Sequence, residues 1–508
     1  MRRPLGKSTW RHRARVEWFN RRRAVAVALF FGLFAIPLFA IHLRLLSLPF
    51  FWDEQGQFIP TALDILRMGA WVAKSTVPNV HPPGLEAGLA LVYRLFGYSI
   101  PLTRVAMLLL ASFGMLFTFL LAIELSRNSR GTPAFLPPLL LLASPLFFTQ
   151  SMMAQLDMPA MVFTLLALLL FVKRQYAAAA LACVVLVLVK ETGLVVPFVF
   201  FCFLVWERNW KRAAYFIPSA VALAGWLLVL HHATGYWLGD PGFAHYNVGY
   251  ALEPVHLIFS FLRRIYYLFF AEMRIVGTVV LIIAIKRCAA FRTRAWAVTG
   301  VVAALMFVLV TVLGGAELER YLLPTLPLFY IAVAVALTNF NKLVFGAVTA
   351  AMLIGLVVCI SWNPPYPFPY ENNYAMVTFV RLQQIAGDYA GSHLSDKTIA
   401  TAWPYTAALR NPDYGFVARP LRVVETNDFH AASIEALKPR SFDVLITYTR
   451  TWAPDDGVLA NEIVRGFLKD FYDWQQDITP RECAALGLQE GVSWTLEGQT
   501  ITIYLRRP

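Results

Sequence analysis

Long apolar runs alternate with short polar segments over most of the chain, and this alternation is its dominant pattern. Runs of about 17–20 apolar residues are long enough to cross the hydrocarbon core of a bilayer as helices. The pattern predicts about eleven such spans, which is typical of an α-helical polytopic membrane protein. The predicted spans are residues 24–43, 103–124, 134–150, 157–173, 176–190, 194–206, 213–231, 271–286, 295–313, 322–338 and 343–361.

Basic clusters between the apolar runs predict the orientation of the chain, because cytoplasmic loops carry an excess of lysine and arginine. We place the basic tail 1–23 in the cytoplasm, and no A-x-A cleavage signal follows the first span. Every predicted inner loop is then basic, and an odd number of spans leaves the C-terminus outside. The inner-loop residues are Arg127, Arg130, Lys173, Arg174, Arg208, Lys211, Arg212, Lys286, Arg287, Arg292, Arg294 and Lys342.

The composition changes near residue 363, where the proline-rich stretch "NPPYPFPY" cannot continue a helix. We therefore predict a transmembrane module at 24–362, with an outer-face loop at 44–102, and an extracytoplasmic α/β domain at 363–508. Helical stretches are expected at 375–389 and 461–472. The predicted strands are rich in β-branched residues and lie in "KTIATAWP", "LRVVET", "FDVLITYT" and "QTITIYLRR".

Three further segments are amphipathic rather than spanning: 58–68, 85–98 and 254–270. Helices of this kind lie in the plane of the membrane interface.

The overall composition agrees with a membrane protein and narrows the choice of partners. The chain has 508 residues, of which 58% are hydrophobic and 15% are charged. Soluble domains carry about 25% charged residues. The net charge of +13 could suggest nucleic acid, but its distribution follows the loops, so we expect no nucleic-acid partner. None of the five cysteines has a C-x-x-C partner, which argues against a disulfide framework or a zinc site.

Ionisable residues that lie far apart in the sequence meet at the outer face in this topology. Such residues at membrane depth are costly, so they are candidates for a functional site. "FWDEQGQF" follows the first span, "QLDMPAMVF" begins the fourth, "KETGLVVP" joins the fifth and sixth, and "ELERYLLP" begins the tenth. The candidates are Asp53, Glu54, His81, Asp157, Lys190, Glu191, Glu317, Glu319, Arg320 and Tyr321.

Most of these residues also have a purely structural alternative. A proline pair and a glycine follow His81 and fix the backbone there, which favours a defined role for this side chain. The alternatives are Asp53 and Glu54 as solvated loop acids, His81 as an interfacial histidine, Asp157 as a helix N-cap before Pro159, Lys190 and Glu191 as a self-paired turn, and Arg320 as a snorkelling residue.

The predicted outer-face cluster suits one kind of chemistry. A carboxylate at the membrane boundary can act as a general base toward an acceptor hydroxyl or amine. Basic residues beside it can hold a phosphate leaving group. A lipid-borne donor reaches such a site sideways from the bilayer, and the sequence has no Rossmann-type fingerprint for a nucleotide sugar. The cluster therefore predicts glycosyl transfer from a lipid phosphate.

These motifs, in this order, resemble the membrane-embedded GT-C glycosyltransferases over about residues 20–340. The similar groups are the protein O-mannosyltransferases and the bacterial aminoarabinose-transferase-like enzymes. The resemblance implies a polyprenyl-phosphate-linked sugar as donor and transfer with inversion to an extracytoplasmic glycan, lipid or protein. It also implies that Asp53 is the catalytic base with Glu54 in support, and that Asp157 orients the acceptor or helps to hold a metal.

The resemblance further places Lys190 and Arg320 at the donor phosphate, and His81 at a family loop position. Glu191, Glu319 and Tyr321 complete the substrate-site candidates. No cofactor is certain, but Asp53, Asp157 and His81 could bind a divalent metal.

Two other functions remain open from the sequence. A transporter or flippase for a lipid-linked sugar would favour broken helices and charges at the membrane midplane between repeated halves. A scaffold that binds cell-wall partners would leave Asp53 and Asp157 without a role.

Overall fold

The computed structural model describes residues 7–314, 318–437, 441–454, 457–472 and 474–506, with side chains from residue 25 onward. A bundle of mostly apolar helices is followed by a small mixed α/β unit. The helices of the bundle are α1 (Lys7–His42), α2 (Ile59–Met68), α3 (Gly84–Phe96), α4 (Ile100–Leu125), α5 (Leu136–Ala143), α6 (Pro145–Gln150), α7 (Asp157–Val172), α8 (Tyr176–Val189), α9 (Val195–Trp206), α10 (Trp210–Ala213), α11 (Ile217–Thr234), α12 (Pro241–Ala244), α13 (Pro254–Phe269), α14 (Arg274–Ala284), α15 (Arg294–Val312), α16 (Leu326–Leu337) and α17 (Lys342–Cys359).

Apolar helices lie at every predicted span, so the prediction of a polytopic helical membrane protein is confirmed. Their lengths differ from a simple set of eleven full crossings. Within the described residues, five helical segments are long and apolar enough to cross a membrane by themselves. The pair α13 and α14, bent by 87°, could together form a sixth crossing. The number of crossings therefore stays a prediction. The five segments are Val25–Leu45, Ile100–Leu125, Trp210–Thr234, Arg294–Val312 and Lys342–Cys359.

The remaining apolar helices are shorter, and two of them are mostly buried inside the bundle. All but one of the twelve residues of α16 are buried, and α7 is also mostly buried. The predicted span 134–150 is wrong as a single helix, since α5 ends before Ser144 and α6 begins at Pro145. Ser144 has the extended ψ of 126° that a residue before proline favours. The proline thus divides the run into two helices.

The loop between α1 and α4 contains the predicted amphipathic stretches. Residues 58–68 form the end of a π-helix, Glu54–Phe58, and the whole of α2, and the second stretch forms α3. Residues 254–270 form α13, one arm of the bent pair. Of the predicted basic tail, residues 1–6 lie outside the described part of the chain and the remainder continues α1.

The C-terminal unit is a five-stranded mixed sheet with helices, which confirms the predicted α/β fold. Its strand order is β2-β1-β3-β5-β4, with β1 parallel to β2 and β3, and β5 antiparallel to β3 and β4. The elements are α18 (Ala375–His393), β1 (Thr398–Ala402), α19 (Tyr405–Arg410), β2 (Arg422–Thr426), α20 (Ala431–Glu435), β3 (Val444–Tyr448), α21 (Glu462–Tyr472), α22 (Pro480–Ala485), β4 (Leu488–Leu496) and β5 (Gln499–Arg506).

The C-terminal domain packs directly on the loop between α1 and α4. Arg67 of α2 forms an ion pair with Asp413 at 2.6 Å, and the Tyr98 hydroxyl donates to the Asp413 carbonyl at 2.5 Å. Trp403 packs against Gly56, where an added Cβ would lie 2.3 Å from the indole. Only glycine at this position allows the domain and the π-helix to meet. The boundaries predicted for the two regions remain predictions.

Candidate active site

A cavity of about 680 Å³ lies where the bundle meets the C-terminal domain. Asp53, Asp157 and Lys190 line it from the bundle, and Glu371 lines it from the linker between the two regions. Arg320 comes from a 3₁₀ turn, Glu319–Leu322, just before α16. The topology predicted from apolar runs therefore brings these distant side chains together in one site.

Asp53 reaches this cavity from a constrained piece of backbone. The preceding residue, Trp52, has a φ of +39°, and a bulky side chain rarely adopts this left-handed conformation. Such strain costs on the order of 1–3 kcal/mol and must be offset by contacts. The Trp52 ring packs against Phe379 and Trp403, with centroid distances of 5.9 and 6.0 Å. The π-helix begins immediately after Asp53, so the strained turn fixes this carboxylate at the cavity wall.

Arg320 lies at the centre of the site and contacts three carboxylates. Its guanidinium donates from Nη2 to Asp53 Oδ2 and from Nη1 to Glu371 Oε2 at 2.9 Å, and its Nε lies 3.2 Å from Asp157 Oδ2. Burial alone would lower the pKa of Arg320, but the carboxylates of Glu371, Asp53 and Asp157 hold it well above the ordinary arginine value. Arg320 is buried, so it is not a snorkelling side chain.

Asp157 and Lys190 form a second ion pair beside Arg320. Lys190 Nζ lies 2.5 Å from Asp157 Oδ1 and 4.5 Å from the centroid of the Tyr321 ring. The N-cap of α7 is Leu156 rather than Asp157, so the capping alternative is wrong. Lys190 is also not self-paired with its neighbour in the turn, because its ammonium group binds Asp157. Tyr321 lines the cavity, and the charged groups of Lys190 and Arg320 lie over its ring.

His81 lines the cavity and is held by Glu191, which does not line it. The distance from His81 Nδ1 to Glu191 Oε2 is 2.8 Å, and the His81 ring meets Phe243 edge to face. Burial by itself would raise the pKa of Glu191, but the charge and hydrogen bond of His81 and the nearby Lys190 lower it to about 2. Glu191 is therefore ionised at neutral pH.

Glu54 lies outside the cavity and is completely buried. Its Oε1 accepts from Arg104 Nη1 at 2.5 Å and from the Ala154 amide at 2.7 Å, and its Oε2 accepts from the Phe51 amide at 2.9 Å. These bonds tie the loop after α1 to α4 and to the segment before α7. Neither Glu54 nor Asp53 is a solvated loop acid. These contacts fit a positioning role for Glu54, which holds the backbone next to Asp53.

Glu319 faces a second cavity of about 680 Å³ rather than the first. Its carboxylate binds Arg263 at 2.7 Å and Asn372 Nδ2 at 3.0 Å. The adjacent candidate, Glu317, lies outside the described residues.

Glu371 belongs to the site but was not among the sequence candidates. Its carboxyl group is buried, and burial, together with the charges of Asp53 and Asp157, raises its pKa to about 7 despite Arg320. It follows the proline-rich stretch that we interpreted only as a linker. An acid at the end of a rigid linker, directly before the C-terminal domain, was the available signal.

The candidate metal ligands do not meet as a set. His81 is paired with Glu191, whereas Asp53 and Asp157 converge on Arg320. Across the described ranges, no group of three or more His, Cys, Asp or Glu residues has a geometry that could hold a metal ion.

The arrangement of helices was compared with known proteins. No family model and no curated protein sequence matches the chain. Among solved structures, ArnT from Cupriavidus metallidurans bound to undecaprenyl phosphate aligns with a TM-score of 0.53 and 13% identity, over 94% of this chain and 98% of that chain. Its apo state aligns with a TM-score of 0.52 and 16% identity, over 96% of this chain and 98% of that chain.

An archaeal protein has a similar arrangement. The Archaeoglobus fulgidus oligosaccharyltransferase in complex with Zn and sulfate aligns with a TM-score of 0.50 and 13% identity, over 82% of this chain and 67% of that chain. At such identities the likeness establishes the fold alone. The chain therefore has the GT-C fold of membrane glycosyltransferases, as its motifs predicted.

Proposed function

We propose that this protein is an integral membrane glycosyltransferase that moves a sugar from a polyprenyl-phosphate-linked donor to an extracytoplasmic glycan, lipid or protein. The observation that carries the proposal is the meeting of Asp53, Asp157 and Glu371 on Arg320 in one cavity, with Lys190 beside them. A carboxylate base and phosphate-binding cations are thus adjacent. The fold shared with an undecaprenyl-phosphate-bound protein supports a donor of this class.

Donor binding and activation of the base are coupled in this proposal. A guanidinium and an ammonium group are the usual partners of a phosphate, and here both are occupied by carboxylates. A donor phosphate that takes over Arg320 breaks its hydrogen bond to Asp53. Asp53 is then free to accept a proton, and the cation stays next to the phosphate.

The reaction then follows from these positions. Asp53 accepts the proton of the acceptor hydroxyl, and the acceptor oxygen forms a bond to the anomeric carbon of the donor. The bond from that carbon to the phosphate oxygen breaks, and the electron pair leaves with the polyprenyl phosphate. Arg320 and Lys190 stabilise the charge that develops on this leaving group. Attack on the face opposite the phosphate inverts the anomeric carbon.

The remaining candidates take supporting positions. His81, held by Glu191, adds a hydrogen-bonding imidazole to the cavity wall, and Tyr321 contributes an aromatic face beside Lys190. Asp157 holds Lys190 and one side of Arg320, which positions both cations.

The proposal includes an orientation. The basic inner loops favour a plasma (inner) membrane protein with a cytoplasmic N-terminus and an extracytoplasmic C-terminal domain. The cavity then lies at the outer face, where a lipid-linked sugar enters from the surrounding membrane lipids. The transferred sugar is a hexose or a pentose.

Transfer from a panel of radiolabelled polyprenyl-phosphate sugars to a crude envelope extract tests the proposal. The purified protein is expected to release polyprenyl phosphate and label an acceptor with at least one donor. Glu207→Gln serves as a control, because this acid pairs with Arg294 outside the cavity. If no donor is turned over while the protein moves the labelled lipid across vesicle membranes, the protein is a flippase instead.

A further inference from the structure

The C-terminal domain forms one wall of the cavity. Trp403, Arg450 and Thr451 line it from that side, and they face Trp52 of the bundle. The rings of Trp52 and Trp403 are nearly perpendicular, at 87°, with their centroids 6.0 Å apart. The Arg450 guanidinium carbon lies 5.8 Å from the Trp52 ring centroid. Both tryptophans and Arg450 are half-buried, so they can still contact a ligand.

Arg450 is held in place through its neighbours in the chain. The Thr451 hydroxyl donates to the Phe368 carbonyl at 2.8 Å, and the Tyr370 hydroxyl donates to the Thr451 carbonyl at 3.0 Å. Trp452 and Phe368 exchange two backbone hydrogen bonds of 3.1 Å. The segment after β3 is thus tied to the linker that carries Glu371, and this fixes the backbone from which Arg450 projects.

Arg450 differs from Arg320 and Lys190 in that no carboxylate of the described residues lies within ion-pair distance of it, although its charge still acts on the Asp477 carboxyl group. Among the described residues, Arg450 has no ion pair and no side-chain hydrogen bond. The basic side chains elsewhere in the cavity are engaged: Arg320 with Asp53, Asp157 and Glu371, Lys190 with Asp157, and the His81 imidazole with Glu191.

These features define the chemistry of a ligand. Tryptophan faces pack against sugar rings, and a guanidinium binds a phosphate or carboxylate through paired hydrogen bonds. Arg320 and Lys190 on the opposite wall are already paired with carboxylates, so Arg450 is the cation that an anion at the C-terminal wall can reach without breaking an ion pair. Because Trp52 directly precedes Asp53, a sugar held at Trp52 lies next to the proposed base.

We propose that Trp52, Trp403 and Arg450 form the acceptor subsite and that it binds a sugar ring carrying an anionic group. This inference rests on the proposed function. The anion pairs with Arg450, whereas a separate hydroxyl of the same sugar lies toward Asp53 and reacts. The C-terminal domain would then select the acceptor, and the donor phosphate would bind at Arg320 and Lys190 on the other wall.

Binding of small sugars to the purified full-length protein tests the subsite. Saturation-transfer NMR is carried out with glucose 6-phosphate, glucuronate, glucose and inorganic phosphate. The wild type is expected to bind one or both charged sugars at least about tenfold more tightly than glucose, as a charge-assisted hydrogen bond provides. The charged sugar that binds identifies the anion as phosphate or carboxylate. Inorganic phosphate is expected to bind more weakly than glucose 6-phosphate, because it lacks the ring.

Variants separate this subsite from the donor site. Arg450→Gln is expected to lose the preference for charged sugars, and Arg450→Lys to keep part of it. Trp403→Leu is expected to weaken all sugars, and Arg381→Gln, an exposed arginine on α18, to change nothing. Binding of a short-chain polyprenyl phosphate is expected to be unchanged in Arg450→Gln.

Either of two results for Arg450→Gln overturns the inference: binding of charged sugars equal to that of the wild type, or loss of polyprenyl-phosphate binding, which would assign Arg450 to the donor. Absence of charged-sugar binding by the wild type also overturns it. Failure of the wild type to bind any polyprenyl phosphate is a different result, because it contradicts the proposed function itself.

Discussion

Arg320 donates a hydrogen bond to Asp53, a residue 267 positions away in the sequence. The side chain proposed to bind the donor phosphate and the side chain proposed as the base therefore neutralise each other when no substrate is bound. The same guanidinium reaches Glu371 and Asp157. One planar, multidentate cation therefore organises three carboxylates. In the proposed mechanism, a ligand that competes for this cation also frees the proposed base, Asp53.

Arg320→Lys tests the need for the guanidinium fork. Lysine keeps the charge but cannot bind three carboxylates and a phosphate in the same plane. We expect kcat/KM for the donor to fall about 10–100-fold, which corresponds to the loss of one charged hydrogen bond. Steady-state transfer at varied donor concentration measures this effect. Unchanged kinetics would show that only the charge of Arg320 matters.

Glu54→Ala is expected to destabilise the fold through Arg104. Removal of one partner of a buried ion pair costs about 3–5 kcal/mol, since it leaves an unpaired charge. Glu54→Met combined with Arg104→Met is expected to recover much of the loss, because apolar side chains can replace such a pair. Thermal unfolding in detergent compares the three proteins. A stable Glu54→Ala with abolished turnover would instead place Glu54 in the chemistry.

Gly56→Ala is expected to disturb the contact between the C-terminal domain and the π-helix. The added Cβ would lie 2.3 Å from the Trp403 indole, and such overpacking costs about 1–3 kcal/mol. Stability and transfer should both decrease, since the same π-helix follows Asp53. Combining Gly56→Ala with Trp403→Leu removes the clash and should restore stability toward that of Trp403→Leu alone. If Gly56→Ala behaves like the wild type, the domain does not depend on this contact.

Glu371 makes stability depend on pH. Its pKa is raised from 4.5 to about 7 in the folded protein, so the folded state binds the proton more tightly than the unfolded state. Stability therefore falls as pH rises from about 4.5 to 7, and the decrease is complete above the folded-state pKa. Glu371→Gln is expected to show a smaller decrease than the wild type between about pH 5 and 8.

Glu86 also makes stability fall as pH rises, so the decrease in the wild type alone cannot be assigned to Glu371. The comparison with Glu371→Gln isolates the contribution of Glu371. Burial raises the pKa of Glu86 to about 8. Glu191, with a pKa of about 2, contributes stability that is lost only as pH falls below about 4.5, outside this window. If stability falls with pH by the same amount in wild type and Glu371→Gln, the raised pKa of Glu371 is not the cause of the decrease.

The sequence contains enough information for the helical bundle and for most of the site. Apolar runs locate the helices, and their alternation brings Asp53, Asp157, Lys190 and Arg320 to one end of the bundle. The apolar pattern could not predict which of these side chains form ion pairs with one another. A span pattern places residues at a membrane depth but does not specify their rotation around the bundle, so Glu319 was expected in the site and lies in a neighbouring cavity.

Two other differences have local causes. β4 was not predicted, because Gly491 and the polar residues of "LQEGVSWTL" weaken the strand pattern, and a bulge between Glu490 and Val492 interrupts its register. Glu371 was missed because the proline-rich segment before it resembles a spacer. Its role depends on how the C-terminal domain packs on the bundle, which is a tertiary property.

The central claim is that Asp53 is the base of a sugar transfer. The most direct measurement is the single-turnover rate of sugar transfer by Asp53→Asn, beside its affinity for the polyprenyl-phosphate donor. We expect the rate to fall about 10²–10⁴-fold, the usual contribution of a general base, while donor binding stays equal or becomes tighter because Arg320 loses a competing carboxylate. A folded Asp53→Asn that transfers sugar at the wild-type rate would contradict the mechanism.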